Sequence, residues 1–148
     1  MPEYSKELVW DENWDLLDGS YDHQKKILAE QKRRIDRLIG KVDFVVTDAP
    51  ILFNIIYLNN CDEKEAHMKH LLTVFNQYDN FNFFVRRDEN EFESEGRIQN
   101  LEESKEKDAE ILNLLKINKL YYGQYTHNNL GYIVQNAITT HKRALKKL

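Results

Sequence analysis

One apolar run, VDFVVTDAP at residues 42–50, restricts the possible folds of this chain more than any other feature. It is rich in β-branched and aromatic residues, and Gly40 and Pro50 bound it on either side, so it is too short for a helix. A continuous rather than alternating run is typical of a strand buried on both faces, as in a parallel sheet. The run therefore predicts a strand at residues 42–47 that leads Asp48 into a loop.

The rest of the chain alternates helical and strand-like segments. The predicted helices cover residues 21–39, 50–58, 62–78, 100–117 and 130 onward, and the predicted strands cover 42–47, 81–87 and 120–122. Within this pattern Gly40 ends the first helix, Asp62 caps the third, and Gly123 breaks the last strand. Helices that alternate with short buried strands predict an α/β three-layer sandwich with a short, mostly parallel sheet.

Length and composition favour one globular domain without a membrane segment. The chain has 148 residues, of which 41% are hydrophobic and 31% charged, and no linker rich in proline, glycine or serine interrupts it. Such a chain is long enough to bury a core, so we expect a single domain over residues 1–148. The longest apolar stretches are much shorter than the ~20 residues of a membrane helix, and the N-terminus lacks an apolar signal sequence. These properties predict a cytoplasmic protein with no membrane contact.

Charge is unevenly distributed along the chain. The formal net charge is −4, but residues 25–41 are strongly basic and residues 88–110 are strongly acidic. A basic segment can contact phosphate groups, whereas the negative overall charge opposes non-specific binding to nucleic acid. We therefore expect solvated helix faces in both segments and no nucleic-acid partner.

Histidine and cysteine residues indicate neither a metal site nor a nucleophilic triad. His67 and His70 lie one helical turn apart and follow Cys61, but this spacing matches no zinc motif, and Lys64 and Lys69 would repel a cation. No serine or cysteine at a suitable spacing pairs with the other histidines. Since Cys61 is the only cysteine, no internal disulfide is expected.

Four blocks of sequence, taken together, resemble one known family. They are EYSKELVW at 3–10, VDFVVTDAPIL at 42–52, FFVRR at 83–87 and GRIQNLEESKEKDAEI at 96–111. In order and approximate spacing they are similar to the AAA-type ATP-binding proteins and P-loop nucleotide kinases of bacteriophages. The resemblance covers most of residues 3–117. It implies a kinase-derived fold whose ligands bind at the carboxyl ends of the strands.

The resemblance also implies roles for four residues at that edge of the sheet. Asp48 would hold the Walker-B-like position that manages the metal and its water, and Arg97 would belong to the lid over the phosphates. Arg86 and Arg87 would neutralise charge on a transferring phosphoryl group. In a chain that binds no nucleotide, Asp48 would instead cap its loop, and the arginines would pair with nearby carboxylates.

The chain differs from this family at its N-terminus. Members begin with a strand, a glycine-rich phosphate loop and a helix, whereas here the EYSKELVW block starts at residue 3. None of the five glycines belongs to a G-x-x-x-x-G-K-[ST] motif, and Val42 follows the only Gly-Lys pair. That loop's N–H groups and lysine hold the phosphates, and its hydroxyl holds magnesium. Without it Asp48 has no metal site to complete, so we expect no cofactor, the alternative being ATP with magnesium.

The absence of that first strand also predicts an incomplete sheet. In the kinase strand order it lies between the strands that match 42–47 and 81–86, so its loss leaves backbone donors and acceptors unpaired. Three arrangements would satisfy them: the two strands pair directly, another part of the chain fills the gap, or a second polypeptide adds a strand.

Aromatic residues cluster at the front of the chain. Tyr4, Trp10 and Trp14 lie where the segment missing relative to the family would cover part of the surface. Exposed side chains of this kind form an apolar patch that binds a protein partner. The expected partner is another protein or a second copy of the chain.

Two functions compete. The first is a non-catalytic interaction protein derived from a phage P-loop nucleotide kinase, which binds a host or phage protein and inhibits it. The second is a nucleotide or nucleoside phosphotransferase with an atypical or partner-completed phosphate site. The remaining alternatives are an unrelated α/β fold and an incomplete gene product whose start codon was placed too late. We prefer the first function because the phosphate loop has no easy chemical substitute.

Overall fold

A computed structural model describes residues 4–86, 101–126 and 129–145. Over these ranges the helices are α1 (Tyr4–Trp10), α2 (Tyr21–Asp36), α3 (Lys64–Phe75), α4 (Leu101–Ile117) and α5 (Leu130–Leu145), and the strands are β1 (Asn82–Arg86) and β2 (Tyr122–Thr126). Two short 3-10 turns cover Trp14–Leu17 and Ile51–Ile55. The chain divides into two compact units, Met1–Asp79 with Ser94–Ile111, and Asn80–Glu93 with Leu112–Leu148.

The core of the first unit lies among α2, α3 and the 3-10 turn at Ile51–Ile55. Its buried apolar side chains are Leu8, Ile27, Leu28, Ala49, Ile51, Leu52, Ile55, Leu58, Leu71, Val74 and Phe75. One polar pair crosses this core, because Asn54 Nδ2 donates to Gln31 Oε1 at 2.7 Å and both residues are buried. Asn54 Nδ2 also donates to the Ile51 carbonyl at 2.8 Å. The pair therefore fixes the 3-10 turn against α2.

Two helices end in Schellman turns, which place a residue in the left-handed region. After α1, Glu12 has φ +57°, and after α4, Lys119 has φ +53°. In the second case Lys119 N–H donates to Lys116 O at 3.1 Å and Leu120 N–H donates to Leu115 O at 2.9 Å. Gly40, predicted to end the first long helix, likewise has φ +73° a few residues beyond α2.

The second unit contains a parallel pair of strands. β1 pairs with β2 in the register Asn82 with Tyr122 through Arg86 with Thr126, and α4 lies between them in sequence. The Phe83 and Tyr125 rings meet edge to face at 5.6 Å, and Asn136 of α5 donates to the Tyr125 hydroxyl at 2.8 Å. This side of the sheet is therefore tied to α5.

Helix and strand together, with parallel pairing, agree with the predicted α/β class. The predicted helices at 21–39, 62–78, 100–117 and 130 onward and the predicted strand at 81–87 each correspond to a helix or strand with somewhat different bounds. The three-layer arrangement and the single domain stay predictions.

The predicted strand at 42–47 is wrong, because these residues have no regular secondary structure. Their side chains are not buried, since Val42 is 49% and Val46 77% exposed. A run of β-branched residues is compatible with a strand, but a strand forms only where another segment pairs with it. Here β1 pairs with β2.

Three local predictions are also corrected. Gly123 lies inside β2 instead of breaking a strand, and a Cβ there would lie 2.5 Å from the Tyr125 ring, so a larger residue would displace that ring. Asp62 does not cap α3, whose N-cap position is Glu63 without a side-chain bond. The predicted helix at 50–58 is a short 3-10 turn that follows Pro50.

Candidate functional site

Two tryptophans are exposed on the surface of the first unit. Trp10 ends α1 and is 62% exposed, and Trp14 begins the next 3-10 turn and is 51% exposed. Lys6 Nζ lies 5.3 Å from the centroid of the Trp10 ring. Tyr4, by contrast, is half-buried, and the Arg34 guanidinium lies 4.9 Å from its ring centroid. Trp10 and Trp14 are thus available to a partner, and partner binding by all three aromatics stays a prediction.

The turn that joins the two tryptophans is held by backbone hydrogen bonds. Glu12 N–H donates to Val9 O at 3.2 Å, and Asn13 N–H donates to Leu8 O at 2.9 Å. These are the two bonds of the Schellman turn described above. Leu8 is also buried, so it anchors α1 in the core. The two tryptophans therefore project from a defined backbone.

An ion-pair network attaches α1 to α2. Arg34 donates from Nη1 and Nη2 to the two carboxylate oxygens of Glu7, at 2.8 and 2.5 Å. Its Nε donates to Glu30 at 2.8 Å, and Arg33 donates twice to the same carboxylate, at 2.7 and 2.8 Å. Bidentate bonds between charged groups are stronger and more directional than single ones. The network therefore holds the tryptophan-bearing helix in one orientation on α2.

The network lowers the pKa of both carboxyl groups. Hydrogen bonds from Arg33 and Arg34 lower the pKa of Glu30 to about 2, and the bond from Arg34 lowers the pKa of Glu7 below its usual value. Hydrogen bonding to the charged form of a carboxyl group is the physical cause in each case. Both groups are therefore ionised at neutral and mildly acidic pH.

The residues between the 3-10 turn at Trp14–Leu17 and the start of α2 are held by a second set of hydrogen bonds. Asp18 Oδ1 accepts hydrogen bonds from the Ser20 N–H at 2.8 Å and from His23 Nδ1 at 2.9 Å, and these bonds lower the pKa of Asp18 to about 2. Asn59 donates from Nδ2 to the Asp18 carbonyl at 2.8 Å and from its backbone N–H to the Gly19 carbonyl at 2.9 Å. The loop before α3 is thus bound to the residues that precede α2.

The sequence did not predict the Arg34 network or the Asn59 contacts with Asp18 and Gly19. It assigned Arg33 and Arg34 to a solvated helix face, because Glu7 lies 27 residues before Arg34 and only the packing of α1 on α2 brings them together. The Asn59 contact joins residues 41 apart. A helix-start signal, Asp18 followed by Gly19 and Ser20, was the one local hint of the second anchor.

A second exposed apolar surface follows α2. We call residues 39–46 the linker segment, and its exposed apolar side chains are Ile39 at 64%, Val42 at 49%, Phe44 at 38% and Val46 at 77%. The sequence predicted that most of these side chains are buried in a sheet. They instead give the first unit a strand-prone stretch at its surface.

The residues expected to bind nucleotide lie in different parts of the chain. Asp48 is exposed in an irregular part of the first unit, and the neighbouring Thr47 hydroxyl accepts from the Ala49 N–H at 3.1 Å, so Thr47 makes the loop contact considered for Asp48. Arg86 ends β1 in the second unit, and its Nη2 donates to Gln124 Oε1 at 2.6 Å. Arg87 and Arg97 lie outside the described residues. One nucleotide site built from these four residues stays a prediction.

His67 is the most deeply buried ionisable side chain of the first unit that the structure describes. It is 1% exposed, its ring meets Tyr21 edge to face at 5.4 Å, and no described group bonds its Nε2. Burial lowers the pKa of His67, and positive charge on His70 and Lys25 lowers it further. Over the described ranges, no group of three or more histidine, cysteine, aspartate or glutamate side chains is placed to hold a metal ion.

In the part of the chain that the structure describes, no helix has the length and apolar character needed to span a bilayer. Comparisons with protein-family models, with curated proteins and with solved structures find no match to this chain.

Proposed function

We propose that this chain is an interaction protein without chemistry of its own, which binds and inhibits another protein through Trp10 and Trp14. In this proposal its fold, a three-layer α/β sandwich, derives from that of the phage P-loop nucleotide kinases. The parallel β1–α4–β2 connection is the building unit of such folds, which supports this descent.

The observation that carries the proposal is the exposure of two tryptophans on an anchored backbone. Tryptophan is enriched among the residues that contribute most to binding energy in protein interfaces. Leaving 62% of Trp10 and 51% of Trp14 in water gives the isolated chain no hydrophobic stabilisation from that surface. Covering the two rings with a partner would recover it.

The anchors of this surface also favour tight binding. Side chains and loops that are ordered only on binding reduce affinity, because their lost freedom opposes association. Here the Arg34 bonds to Glu7 and Glu30 and the Schellman turn hold the backbone before any partner arrives. A partner therefore meets two aromatic rings on a held backbone and the cation of Lys6 at the Trp10 face.

Affinity capture with paired variants tests this proposal. Tagged wild-type chain and a Trp10→Ser, Trp14→Ser double variant are incubated with lysate of cells that naturally carry the gene, and retained proteins are quantified. Tyr132→Ser is the matched control, because Tyr132 is an equally exposed aromatic residue, at 68%, in α5 of the other unit. We expect one protein to be retained by wild type and by Tyr132→Ser but lost from the double variant.

Loss of two such anchors is expected to weaken binding by at least about 2 kcal/mol. Circular dichroism and thermal melting of the double variant serve as the folding control, and both should match wild type because the two rings are largely in solvent. Equal retention by the folded double variant and wild type would contradict the proposed surface.

A phosphotransferase remains the second candidate, supported by one observation. Arg86 and Thr126 end the parallel strands β1 and β2, and ligands of open α/β sheets bind beyond such carboxyl ends. Calorimetric titration with magnesium-ATP, and then with nucleosides and nucleotides, separates the two candidates. Micromolar, magnesium-dependent binding that disappears in Asp48→Ala but persists in Asp11→Ala would favour the phosphotransferase. We expect no such binding.

A further inference from the structure

We propose that the partner covering Trp10 and Trp14 presents a basic segment, rich in arginine, to the acidic residues that accompany the two rings. The partner is that of the proposed function, on which this inference rests, and the step beyond it is the partner's chemistry. Residues 10–15, which we call the acidic turn, carry the observations. They lie in the first unit.

The acidic turn places three carboxylates in the same short stretch as two indole rings. Its sequence, WDENWD, has three acidic residues and no lysine or arginine, which gives a formal charge of −3. Asp11, Glu12 and Asp15 are exposed, as are Trp10 and Trp14. A partner that covers the rings therefore also meets concentrated negative charge.

Other carboxylates of the same two helices are already bound within the chain. Glu7 accepts two hydrogen bonds from Arg34, and Glu30 accepts bonds from Arg33 and Arg34. Glu7 and Glu30 are half-buried, whereas the three carboxylates of the acidic turn belong to exposed residues. An incoming cation can therefore reach the acidic turn without first breaking the network that holds α1 on α2.

The backbone of the acidic turn keeps these groups on one short, hydrogen-bonded stretch. Asp11 N–H donates to Glu7 O at 2.9 Å, and Leu16 N–H donates to Asn13 O at 3.2 Å. Between them Glu12 has φ +57°, in the left-handed region where glycine is the favoured residue. Glycine would suit this turn better, so what glutamate adds here is its carboxylate.

An arginine side chain can bind both kinds of group in the acidic turn. Its planar guanidinium stacks on aromatic rings and forms paired hydrogen bonds with a carboxylate. Arg34 does both inside the chain, because it lies 4.9 Å from the Tyr4 ring centroid and donates to both carboxylate oxygens of Glu7. A basic segment of a partner would repeat this arrangement at the two tryptophans.

Charge disfavours partners of other kinds. A neutral apolar partner would remove water from the adjacent carboxylates without pairing them, which costs free energy. An acidic partner would be repelled by the acidic turn and by the formal net charge of −4. A basic segment covers the apolar rings and pairs with the carboxylates at once, so charge complementarity selects it.

Tryptophan fluorescence with an oligo-arginine peptide tests the charge of the partner. The chain has only two tryptophans, so their emission reports the two rings alone. An oligo-citrulline peptide of the same length is the matched probe, because citrulline keeps the shape of arginine without its charge. We expect saturable, salt-sensitive binding of oligo-arginine, and binding of oligo-citrulline at least about tenfold weaker. Equal binding of the two peptides, or no response of the folded chain to oligo-arginine, would overturn the inference.

Neutralising variants locate the binding site. The variant Asp11→Asn, Glu12→Gln, Asp15→Asn should bind oligo-arginine about tenfold or more weakly than wild type. The control changes the net charge equally at three exposed acidic residues elsewhere in the first unit: Asp62→Asn, Glu63→Gln and Glu106→Gln. It should bind close to wild type, because exposed charges that do not touch the peptide are largely screened at physiological salt. Equal weakening by both variants would contradict a site at the acidic turn.

Two single substitutions separate charge from stability. Glu12→Gly fits φ +57° without strain, so it should unfold at a temperature no lower than wild type yet bind oligo-arginine more weakly. Lys6→Gln removes a positive charge 5.3 Å from the Trp10 ring centroid, so it should bind the basic peptide more tightly. Weaker binding by a folded Lys6→Gln chain would contradict the inferred charge preference.

The affinity capture described above separates failure of this inference from failure of the proposed function. A protein that the double tryptophan variant loses but the neutralised acidic turn retains would leave the proposed function standing and overturn the basic partner. Equal retention by the double tryptophan variant would contradict the proposed function itself. We expect both variants to lose the same protein.

Discussion

Gly19 and His67 show how single positions constrain this fold. Gly19 stands in the left-handed region, with φ +73°, between Asp18 and the start of α2. A Cβ at this position would lie 2.8 Å from both Asn59 Oδ1 and the Tyr57 carbonyl oxygen. The backbone conformation and the close approach of the loop therefore both require glycine.

The substitution Gly19→Ala should lower the free energy of unfolding by at least about 2 kcal/mol, since left-handed strain and a steric clash add together. Urea denaturation measures the change. Gly131→Ala is the control, because no atom lies within 4 Å of a Cβ there and alanine favours the helix α5. A Gly19→Ala chain as stable as wild type would contradict the described contact with the loop.

His67 gives the fold a pH dependence of definite sign. Burial lowers its pKa in the folded chain, so between that value and the ordinary value near 6.5 the unfolded chain binds a proton that the folded chain does not. The free energy of unfolding of wild type should therefore begin to fall as pH decreases to about 6.5 and continue to fall down to the lowered pKa of the folded chain. His67→Leu should remove this part of the decrease, whereas the exposed control His70→Gln should keep it. Equal slopes for wild type and His67→Leu would exclude a buried neutral imidazole.

At the scale of the helices, charge stabilises α2 through the ion pairs of Glu30 with Arg33 and Arg34, and Arg34 also binds Glu7 of α1. The pKa of Glu30 is about 2, against an ordinary value near 4.5, so its ion pairs stabilise the folded chain fully above about pH 4.5. This stabilisation is lost as pH falls from about 4.5 towards 2.

We expect Glu30→Gln to lower the free energy of unfolding by about 1–3 kcal/mol at pH 7, as for loss of hydrogen bonds to a charged group. The difference from wild type should shrink as pH falls towards 2, where the wild-type carboxyl group is also protonated. Glu65→Gln is the control, because Glu65 forms one surface pair with Lys69 and its side chain is 82% exposed. Urea titrations at several pH values measure both variants, and a pH-independent difference would contradict the lowered pKa.

Local sequence patterns predicted most helices because helix formation depends on neighbouring residues. The apolar spacing of residues 21–39 correctly indicated α2, but the helix ends at Asp36, before the predicted stop at Gly40. The predicted strand at 42–47 was wrong because strand pairing is non-local. The composition of a segment does not determine whether it or another segment pairs with β1. Trp10 and Trp14 are exposed and Tyr4 is half-buried, so the predicted partner site of these three residues stays a prediction. The network of Glu7, Arg34 and Glu30 could not be predicted, because it requires the packed helices.

At the scale of the whole molecule, the described residues carry two exposed apolar surfaces. The tryptophan surface lies on the first unit, and the linker segment lies in the same unit after α2. The phosphate loop that a kinase needs has no counterpart in the sequence. The two exposed surfaces support the binding function proposed above.

The central claim is that Trp10 and Trp14 are covered by a protein partner, and fluorine NMR tests it most directly. The chain has only two tryptophans, so incorporation of 5-fluorotryptophan gives one signal from each and none from elsewhere. Spectra of the labelled chain are recorded in buffer and in concentrated lysate of cells that naturally carry the gene, with Trp14→Ser used to assign the signals. The account predicts that both signals shift or broaden in lysate but not in an equal concentration of serum albumin. Two unchanged signals from a folded chain would contradict it.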